Sequence, residues 1–263
     1  MQSQNSAPLA GRVALVTGGG RGIGRATSLA LAADGAAVAV NWNRDERAAA
    51  EVVDAIRAQG GRAMAVQASV ADYAAVDAMV GAVGAELGPI GILVNNGGIA
   101  SRGLAVAETQ TSEVERVLAV HAIGPHALCR AVLPQMRTLE RGDIIMISSA
   151  AAHMLEANGG PYNMGKAALE ALAHTLAKEE VGNGIHVNIV APGLVASDMG
   201  DRLIRAVTGG EHGEAAALDA QFPFGHVCRP SEIADVITFL VSPRASYVSG
   251  QRIIVDGGAQ PTR

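Results

Sequence analysis

Thr17-Gly18-Gly19-Gly20-Arg21-Gly22-Ile23-Gly24 is the most informative segment of this chain. It follows a short apolar run and leads directly into a stretch with helical character. Glycines between a strand and a helix let backbone N–H groups and the positive end of the helix dipole approach a pyrophosphate closely. A tight turn would also need glycine, but this placement favours a dinucleotide site. We expect the binding residues of this segment to be Gly18, Gly20, Arg21, Gly22, Ile23 and Gly24.

Short apolar runs alternate with helical segments along the whole chain. Strands are predicted at 13–16, 36–40, 63–66, 91–94, 143–147, 186–190 and 252–255. Helices are predicted at 23–33, 46–59, 70–87, 111–139, 167–181 and 230–240. This alternation, with strands that are mostly apolar on both faces, predicts an α/β fold: a Rossmann-type, doubly wound sheet of seven parallel strands flanked by helices.

The domain is expected to be single and to cover residues 9–263, after a flexible N-terminal tail of small and polar residues at 1–8. The interval from Met199 to Phe224 breaks the alternation because it contains no strand-like run. Its apolar residues Leu203, Ile204 and Val207 fit one helix face. We predict a lid or substrate loop at about 199–224.

Composition excludes several classes of protein. Of 263 residues, 49% are hydrophobic and 17% charged, which excludes a disordered chain. Twenty basic and 25 acidic residues give a net charge of −5 without charge blocks, so we expect no nucleic-acid or membrane partner. The cysteines, Cys129 and Cys228, have neither disulfide-framework nor metal-ligand spacing, so we expect no metal site. Without a signal peptide or an uninterrupted apolar span, the expected location is cytoplasmic.

The end of the second predicted strand bears on the choice of cofactor. It reads Asn41-Trp42-Asn43-Arg44, where a protein that binds NAD usually places Asp or Glu on the ribose diol. Without a carboxylate, the 2′-phosphate of NADP meets no repulsion, and Arg21 and Arg44 could both bind it. The alternative is that both arginines are solvated surface charges. We expect NADP(H) to be favoured over NAD(H), with Asn43 and Arg44 among the contacts.

A tyrosine and a lysine four positions apart form the second chemical motif, Tyr162-Asn163-Met164-Gly165-Lys166. With only 3 Tyr in the chain and only two Lys, Lys166 and Lys178, this spacing should arise by chance about 0.02 times. On a helix both side chains share one face, where the ammonium would lower the phenol pKa from about 10. Tyr162 could then pass a proton to a carbonyl oxygen as hydride arrives. A plain helical hydrogen-bonding pair is the alternative.

From about Leu9 to Gly258 the chain resembles the short-chain dehydrogenase/reductase family, most closely its 3-oxoacyl-(acyl-carrier-protein) reductase members. The resemblance is carried by the glycine segment, Asn95-Asn96-Gly97-Gly98, Ser148-Ser149, Tyr162 with Lys166, Pro192-Gly193 and Asp256-Gly257-Gly258.

The resemblance implies roles for these residues. Ser149 would bind the substrate carbonyl, Tyr162 would be the general acid/base, and Lys166 would hold the nicotinamide ribose. Hydride would come from the cofactor. Asn95 would support the fourth strand beside the cofactor, and Val195 with Ser197 would hold the carboxamide. The other implied cofactor contacts are Ser69, Val70, Gly97, Pro192 and Gly193.

Three positions depart from the family pattern. His121 stands where the family has a fourth catalytic residue, Asn. A neutral imidazole offers one donor and one acceptor, so it could hold the same relay water, but unlike Asn it can titrate. We therefore expect an acid-side loss of activity that the His121→Asn variant lacks; a tolerated packing residue is the alternative. Ser69 replaces an Asp near the adenine, and Gly97 replaces an Ala.

The resemblance and the motifs together predict an NADPH-dependent reductase of a 3-oxoacyl thioester, on acyl carrier protein or coenzyme A, or of another ketone. Alternatives are a family member acting on a sugar, polyol or steroid, and a nucleotide-binding relative without turnover. Glu140 interrupts Arg137 and Arg141, which disfavours docking of an acidic carrier protein. The resemblance also implies a homotetramer, which the small residues from Ala167 to Ala177 would allow.

Overall fold

The computed structural model describes residues 7–210 and 213–259. Its seven strands in that part of the chain are β1 Val13–Val16, β2 Ala37–Trp42, β3 Ala63–Gln67, β4 Ile90–Asn95, β5 Gly142–Ile147, β6 Ile185–Pro192 and β7 Arg252–Val255. The α-helices are α1 Gly22–Ala33, α2 Glu46–Ala58, α3 Tyr73–Leu87, α4 Thr111–Leu118, α5 Gly124–Met136, α6 Ala151–Met154, α7 Gly160–Glu180, α8 Asp198–Val207 and α9 Pro230–Val241.

All of these strands form one parallel sheet in the order β3-β2-β1-β4-β5-β6-β7. The predicted fold class is therefore confirmed. The strand order changes direction between β1 and β4, and a sheet of this kind binds ligands beyond the carboxyl ends of its strands at that point. The loops that follow β1, β4, β5 and β6 consequently surround the candidate site.

Two apolar layers cover the sheet, one on each face. Helices α3, α5 and α7 pack on one face through residues such as Leu128 and Leu176, and α1, α2 and α9 pack on the other through Leu31 and Ile237. Central strands are buried on both faces, whereas the edge strands β3 and β7 are partly exposed. Burial on both faces explains why the central strands read as continuous apolar runs.

Helix boundaries differ from the predictions where a turn or a cap decides them. Helix α3 begins at Tyr73 rather than at residue 70, because the Asp72 side chain accepts the N–H of Ala75 and caps the first turn. Helix α7 begins at Gly160, well before the predicted residue 167, with Pro161 in its first turn. Tyr162 and Lys166 therefore both lie on this helix.

The long helix predicted at 111–139 is not continuous. A π-helical segment, Ala119–Ile123, separates α4 from α5, and α5 ends at Met136. Pro125 has no N–H to give to the carbonyl of residue 121, which accounts for the wider turn at this place. By length and composition, Thr111–Met136 could cross a membrane, but half of its most apolar window is buried, as in a core helix of a soluble protein.

The interval predicted as a lid contains α8 and two short 3₁₀ helices, Ala215–Gln221 and Pro223–Gly225, and no strand among its described residues. Ile204 packs with other apolar residues of this segment, whereas Leu203 is 54% exposed, so only part of the predicted apolar face of α8 is covered. The side chain of Val207 and residues 1–6 of the predicted tail lie outside the described part of the chain.

Candidate active site

Strand ends bring the predicted catalytic residues together at the carboxyl edge of the sheet. Ser149 follows β5, and Tyr162 and Lys166 lie in the first two turns of α7. The Ser149 hydroxyl lies near enough to the Tyr162 phenol for a hydrogen-bonding interaction that lowers the phenol pKa. The Lys166 Nζ lies 5.6 Å from the centre of the Tyr162 ring and donates to the Ile147 carbonyl oxygen at 2.7 Å. These three side chains thus form one cluster.

Burial controls the protonation of this cluster. Burial raises the pKa of Tyr162, and the hydrogen bond from Ser149 opposes this only in part. The prediction that Lys166 lowers the phenol pKa is therefore wrong for the chain by itself. Burial lowers the pKa of Lys166 to about 7, while the negative charge of Glu170 opposes the shift. Tyr162 therefore retains its proton at neutral pH, whereas Lys166 can titrate there.

His121 lies beside this cluster, in the π-helical segment, and is buried. Its ring meets the Tyr162 ring edge to face, with 5.2 Å between the ring centres. Its Nε2 lies 2.7 Å from the Ile99 carbonyl oxygen and 3.1 Å from the Ile99 nitrogen. If Nε2 carries the proton and donates to the closer oxygen, Nδ1 is left as an acceptor. Nδ1 is buried without a hydrogen-bond partner among the described residues.

The charge state of His121 does not change in the working pH range. Burial, helped by the positive charge of Lys166, lowers the pKa of His121 to about 3. The imidazole is therefore neutral near pH 7. An acid-side loss of activity through titration of His121 stays a prediction, and this pKa moves it to strongly acidic pH.

Two glycines make room for the imidazole. A Cβ atom on Gly165 would lie 2.9 Å from the Cβ of His121, and one on Gly98 would lie 2.9 Å from its Cε1. Both distances are shorter than van der Waals contact. The ring can occupy this position only because residues 98 and 165 lack side chains.

The glycine segment forms a cradle of the shape that a pyrophosphate needs. Gly18 and Gly22 have φ values of +61° and +52°, which favour glycine. A Cβ atom on Gly24 would lie 2.2 Å from the Gly18 carbonyl oxygen. Gly22 and Ile23 begin α1, so their N–H groups lie at the positive end of its dipole. The residues present therefore fit a dinucleotide.

Side chains that the sequence analysis did not assign hold this cradle. The buried Asn41 accepts the N–H of Gly18 through Oδ1, at 3.3 Å. Asn96 donates through Nδ2 to the Thr17 carbonyl oxygen at 2.9 Å, and the Thr17 hydroxyl accepts the N–H of Gly97 at 2.9 Å. The only signal for Asn96 and Thr17 was their place inside the two quoted motifs. Asn41 begins the segment that bears on the cofactor choice, and it lies beneath the glycine loop.

The arginines predicted to bind a 2′-phosphate differ in their surroundings. Arg44 and Asn43 are exposed at the start of α2, and Arg44 has no hydrogen bond or ion pair within the described part of the chain. Arg21 has an Nη1 atom 3.9 Å from carboxylate oxygens of both Asp45 and Asp198. Arg44 is thus the freer cation.

The predicted contacts after β3 and β4 are partly structural. Ser69 accepts the N–H of Ala71 through its hydroxyl at 3.3 Å, and the carbonyl of Val70 lies against Gly124. Asn95 is buried inside the sheet, with Nδ2 3.2 Å from the Met146 sulfur, so it supports β4 as expected.

The segment after β6 closes the other side of the groove. Pro192 ends the strand, and Gly193 donates its N–H to the Val255 carbonyl oxygen at 3.0 Å. Val195 is buried beside Cys228, while Ser197 caps α8 by accepting the N–H of Gly200. A Cβ atom on Gly22 would lie 3.5 Å from the Cβ of Ser197, which places Ser197 opposite the glycine cradle.

Exposed apolar side chains cluster in the loops beyond the strand ends. They come from the loops after β4 and β5 and from α8, and they are Leu104, Val106, Leu155, Met199 and Leu203. A Cβ atom on Gly160, two residues before Tyr162, would lie 3.5 Å from Val106. Val106 therefore places one exposed apolar side chain close to the start of α7.

Comparison with known proteins agrees with this geometry. The sequence model of the family described as "Enoyl-(Acyl carrier protein) reductase" matches residues 18–260. A Synechocystis protein named 3-oxoacyl-(acyl-carrier-protein) reductase is 38% identical over 95% of this chain and 97% of its own. A dehydrogenase/reductase structure from Sinorhizobium meliloti 1021 is 34% identical with a TM-score of 0.86, covering 97% and 98% of the two chains. A short chain dehydrogenase from Burkholderia cenocepacia J2315, in complex with NADP, is 33% identical with a TM-score of 0.85, covering 96% and 99%.

Proposed function

Since the chain belongs to the short-chain dehydrogenase/reductase family and is an NAD(P)-dependent enzyme of that family, we propose that it reduces 3-oxoacyl thioesters with NADPH. The hydrogen-bonded cluster of Ser149, Tyr162 and Lys166 beside the glycine cradle is the observation that carries this proposal.

Each residue of the cluster has a chemical task in this proposal. Ser149 and Tyr162 donate hydrogen bonds to the substrate carbonyl oxygen, and Tyr162 gives up its phenol proton to that oxygen. The raised pKa of Tyr162 suits this direction, because the phenol still holds its proton at neutral pH. Lys166 holds the nicotinamide ribose, and the bound NADPH supplies the hydride. The Nδ1 atom of His121, which has no partner among the described residues, accepts a hydrogen bond from a water molecule beside Tyr162.

The substrate class is argued from the apolar loops beyond the strand ends. Val106, Leu155 and Leu203 expose apolar surface that fits an acyl chain better than it fits a sugar or polyol. A steroid ketone would also suit such a surface and remains the second candidate. Arg137 and Arg141 are paired with Glu180 and Asp143, so they offer little attraction to an acidic carrier protein. A coenzyme A thioester is therefore the first substrate to test.

The assembly and location are also proposals. Helix α7 exposes a stripe of Met164, Ala167 and Ala171, spaced so that a second copy of the helix could pack closely. We infer a homotetramer in the cytoplasm. Small-angle scattering checks the assembly, and a monomeric mass would overturn it.

The first test compares the wild type with Tyr162→Phe. NADPH oxidation is followed with a short 3-oxoacyl-coenzyme A, a 3-oxoacyl carrier protein, a sugar ketone and a steroid ketone. We expect thioester turnover to fall by about 10²–10⁴-fold in the variant, because the proton donor is lost, while NADPH still binds. If the wild type binds NADPH but reduces neither thioester, the proposal of a 3-oxoacyl reductase is wrong.

The second test addresses the cofactor preference. Removing the exposed Arg44 by Arg44→Ala should weaken NADPH binding by about 10–100-fold, as loss of one charge-assisted hydrogen bond predicts, and leave NADH binding nearly unchanged. Arg47→Ala is the matched control, because Arg47 is exposed and only three residues away but lies on α2 and pairs with Glu51. Equal weakening for both cofactors would contradict a 2′-phosphate contact.

A further inference from the structure

A second cluster of polar side chains lies behind the catalytic one, and its centre is Glu170 of α7. The Ser148 hydroxyl donates to Glu170 Oε1 at 2.6 Å. Arg252, the first residue of β7, donates through Nη1 to Glu170 Oε2 at 3.2 Å. Both carboxylate oxygens are thus engaged, and the Glu170 side chain is only 13% exposed.

This cluster connects directly to the catalytic lysine. Lys166 lies one helical turn before Glu170, and its Nζ donates to the carbonyl of Ile147, the residue before Ser148. Two neighbouring side chains of α7 therefore hold two successive residues at the end of β5. Ser149, the next residue, hydrogen-bonds to Tyr162 of the same helix.

We propose that Glu170 is a positioning residue that fastens α7 to the end of β5 and increases the fraction of Lys166 that carries a charge. The Glu170 carboxylate stabilises the Lys166 ammonium electrostatically. The Arg252 cation, which is paired with the same carboxylate, reduces this stabilisation. This inference rests on the proposed function only in assigning Lys166 to the cofactor ribose.

No other acid supports the ammonium in the part of the chain that the structure describes. The groups around Lys166 are Tyr162 on its own helix, which holds its proton, and His121 on the π-helical segment, which is neutral. Burial lowers the pKa of Lys166 to about 7, and Glu170 alone among the charged groups raises it. A change at Glu170 should therefore alter the charge of Lys166 near neutral pH.

The composition of the chain allows a direct measurement. Lys166 and Lys178 are its only two lysines, so protein labelled with ¹³C at lysine Cε gives two side-chain signals, and Lys178→Arg identifies them. The pKa of Lys166 is read by titration in the wild type, Glu170→Gln and Arg252→Gln.

The two variants should shift this pKa in opposite directions. Glu170→Gln keeps an acceptor for Ser148 but leaves the Arg252 cation uncompensated, so the pKa should fall by about one unit. Arg252→Gln leaves the carboxylate uncompensated, so the pKa should rise. The alkaline limb of the kcat/KM profile should move with it, because charged Lys166 is needed. Glu179→Gln, an exposed change on the same helix, should change neither.

Opposite shifts separate this role from a merely structural one. A structural role predicts lowered melting temperatures and an unchanged Lys166 pKa, or shifts of the same sign in both variants, and either result would overturn the proposal. If Arg252→Gln does not fold, Arg252→Lys replaces it as a variant that keeps the cation. In that case an unchanged Lys166 pKa in Glu170→Gln is sufficient to refute the proposal. If the Lys166 pKa shifts in opposite directions in the two variants but the wild type reduces no carbonyl, the positioning role is supported and the proposed function is wrong.

Discussion

At the scale of single residues, the candidate catalytic cluster depends on two glycines whose missing side chains leave space beside Tyr162. His121 occupies the space that Gly98 and Gly165 leave, with its ring against Tyr162. An imidazole is larger than the Asn side chain for which the family pattern has room. The side chain at 121 and the glycine at 98, which faces the Cε1 atom of the ring, should therefore be energetically coupled.

Gly98→Ala tests this coupling. The new methyl group would meet the His121 Cε1, so we expect an overpacking cost of about 1–3 kcal/mol and a displaced ring beside Tyr162, with a lower kcat. An Asn side chain has no atom that corresponds to Cε1, so the same substitution should cost less in the His121→Asn background. The free energy of unfolding in urea and kcat are measured for the wild type, both single variants and the double variant, which together form a double-mutant cycle. Additive effects of the two substitutions would show that the residues do not interact.

At the scale of elements, few polar contacts hold the described residues of the segment 198–225, which are 198–210 and 213–225, to the domain. Asp219, on the first 3₁₀ helix, accepts the N–H of Val227 at 2.9 Å and pairs with Arg229. Asp201 of α8 accepts the N–H of Ala215 at 2.8 Å. The small apolar cluster of Ile204 and its neighbours is separate from the two main layers. This segment should therefore open more easily than the sheet.

Asp219→Ala should release the segment without unfolding the domain. Loss of hydrogen bonds to a charged group costs about 1.5–3 kcal/mol, here expressed locally. We expect a raised KM for the thioester, faster proteolysis within this segment and a nearly unchanged midpoint of global unfolding. Asp235→Ala, an exposed change on α9, is the control. A lowered global midpoint with an unchanged KM would mean that the segment belongs to the main cooperative unit.

At the scale of the whole molecule, the carboxyl ends and the amino ends of the strands have different roles. The carboxyl edge holds the glycine cradle and the catalytic cluster, while the amino edge holds a buried ion network around Asp143 of β5. Asp143 is 1% exposed and pairs with Arg12 at 2.8 Å and Arg141 at 2.9 Å. Arg12 also donates to the carbonyls of Gly91 and Val241, so this network joins β4 to the end of α9.

Asp143→Ala should destabilise the protein without affecting catalysis. It leaves two partly buried arginines without their carboxylate, which typically costs about 3–5 kcal/mol. We expect the free energy of unfolding in urea to fall by that amount, with an unchanged Kd for NADPH well below the melting temperature. The exposed pair Asp77–Arg130 provides the comparison, since Asp77→Ala should cost less than about 1 kcal/mol. A large loss of NADPH affinity in the folded variant would contradict the separation of the two edges.

The order of neighbouring residues was sufficient to predict the sheet and to single out Tyr162 and Lys166 as candidate catalytic residues. The alternation of apolar runs with helices, the glycines from Gly18 to Gly24 and the spacing of Tyr162 and Lys166 are properties of neighbouring residues, and short-range geometry interprets them. Burial and contacts between distant segments are not such properties. The raised pKa of Tyr162, the neutral state of His121, the space beside Gly165 and the link from Glu170 to Arg252 all arise where strand ends and helices meet. Desolvation and packing depend on the whole fold, so only the tertiary structure defines them.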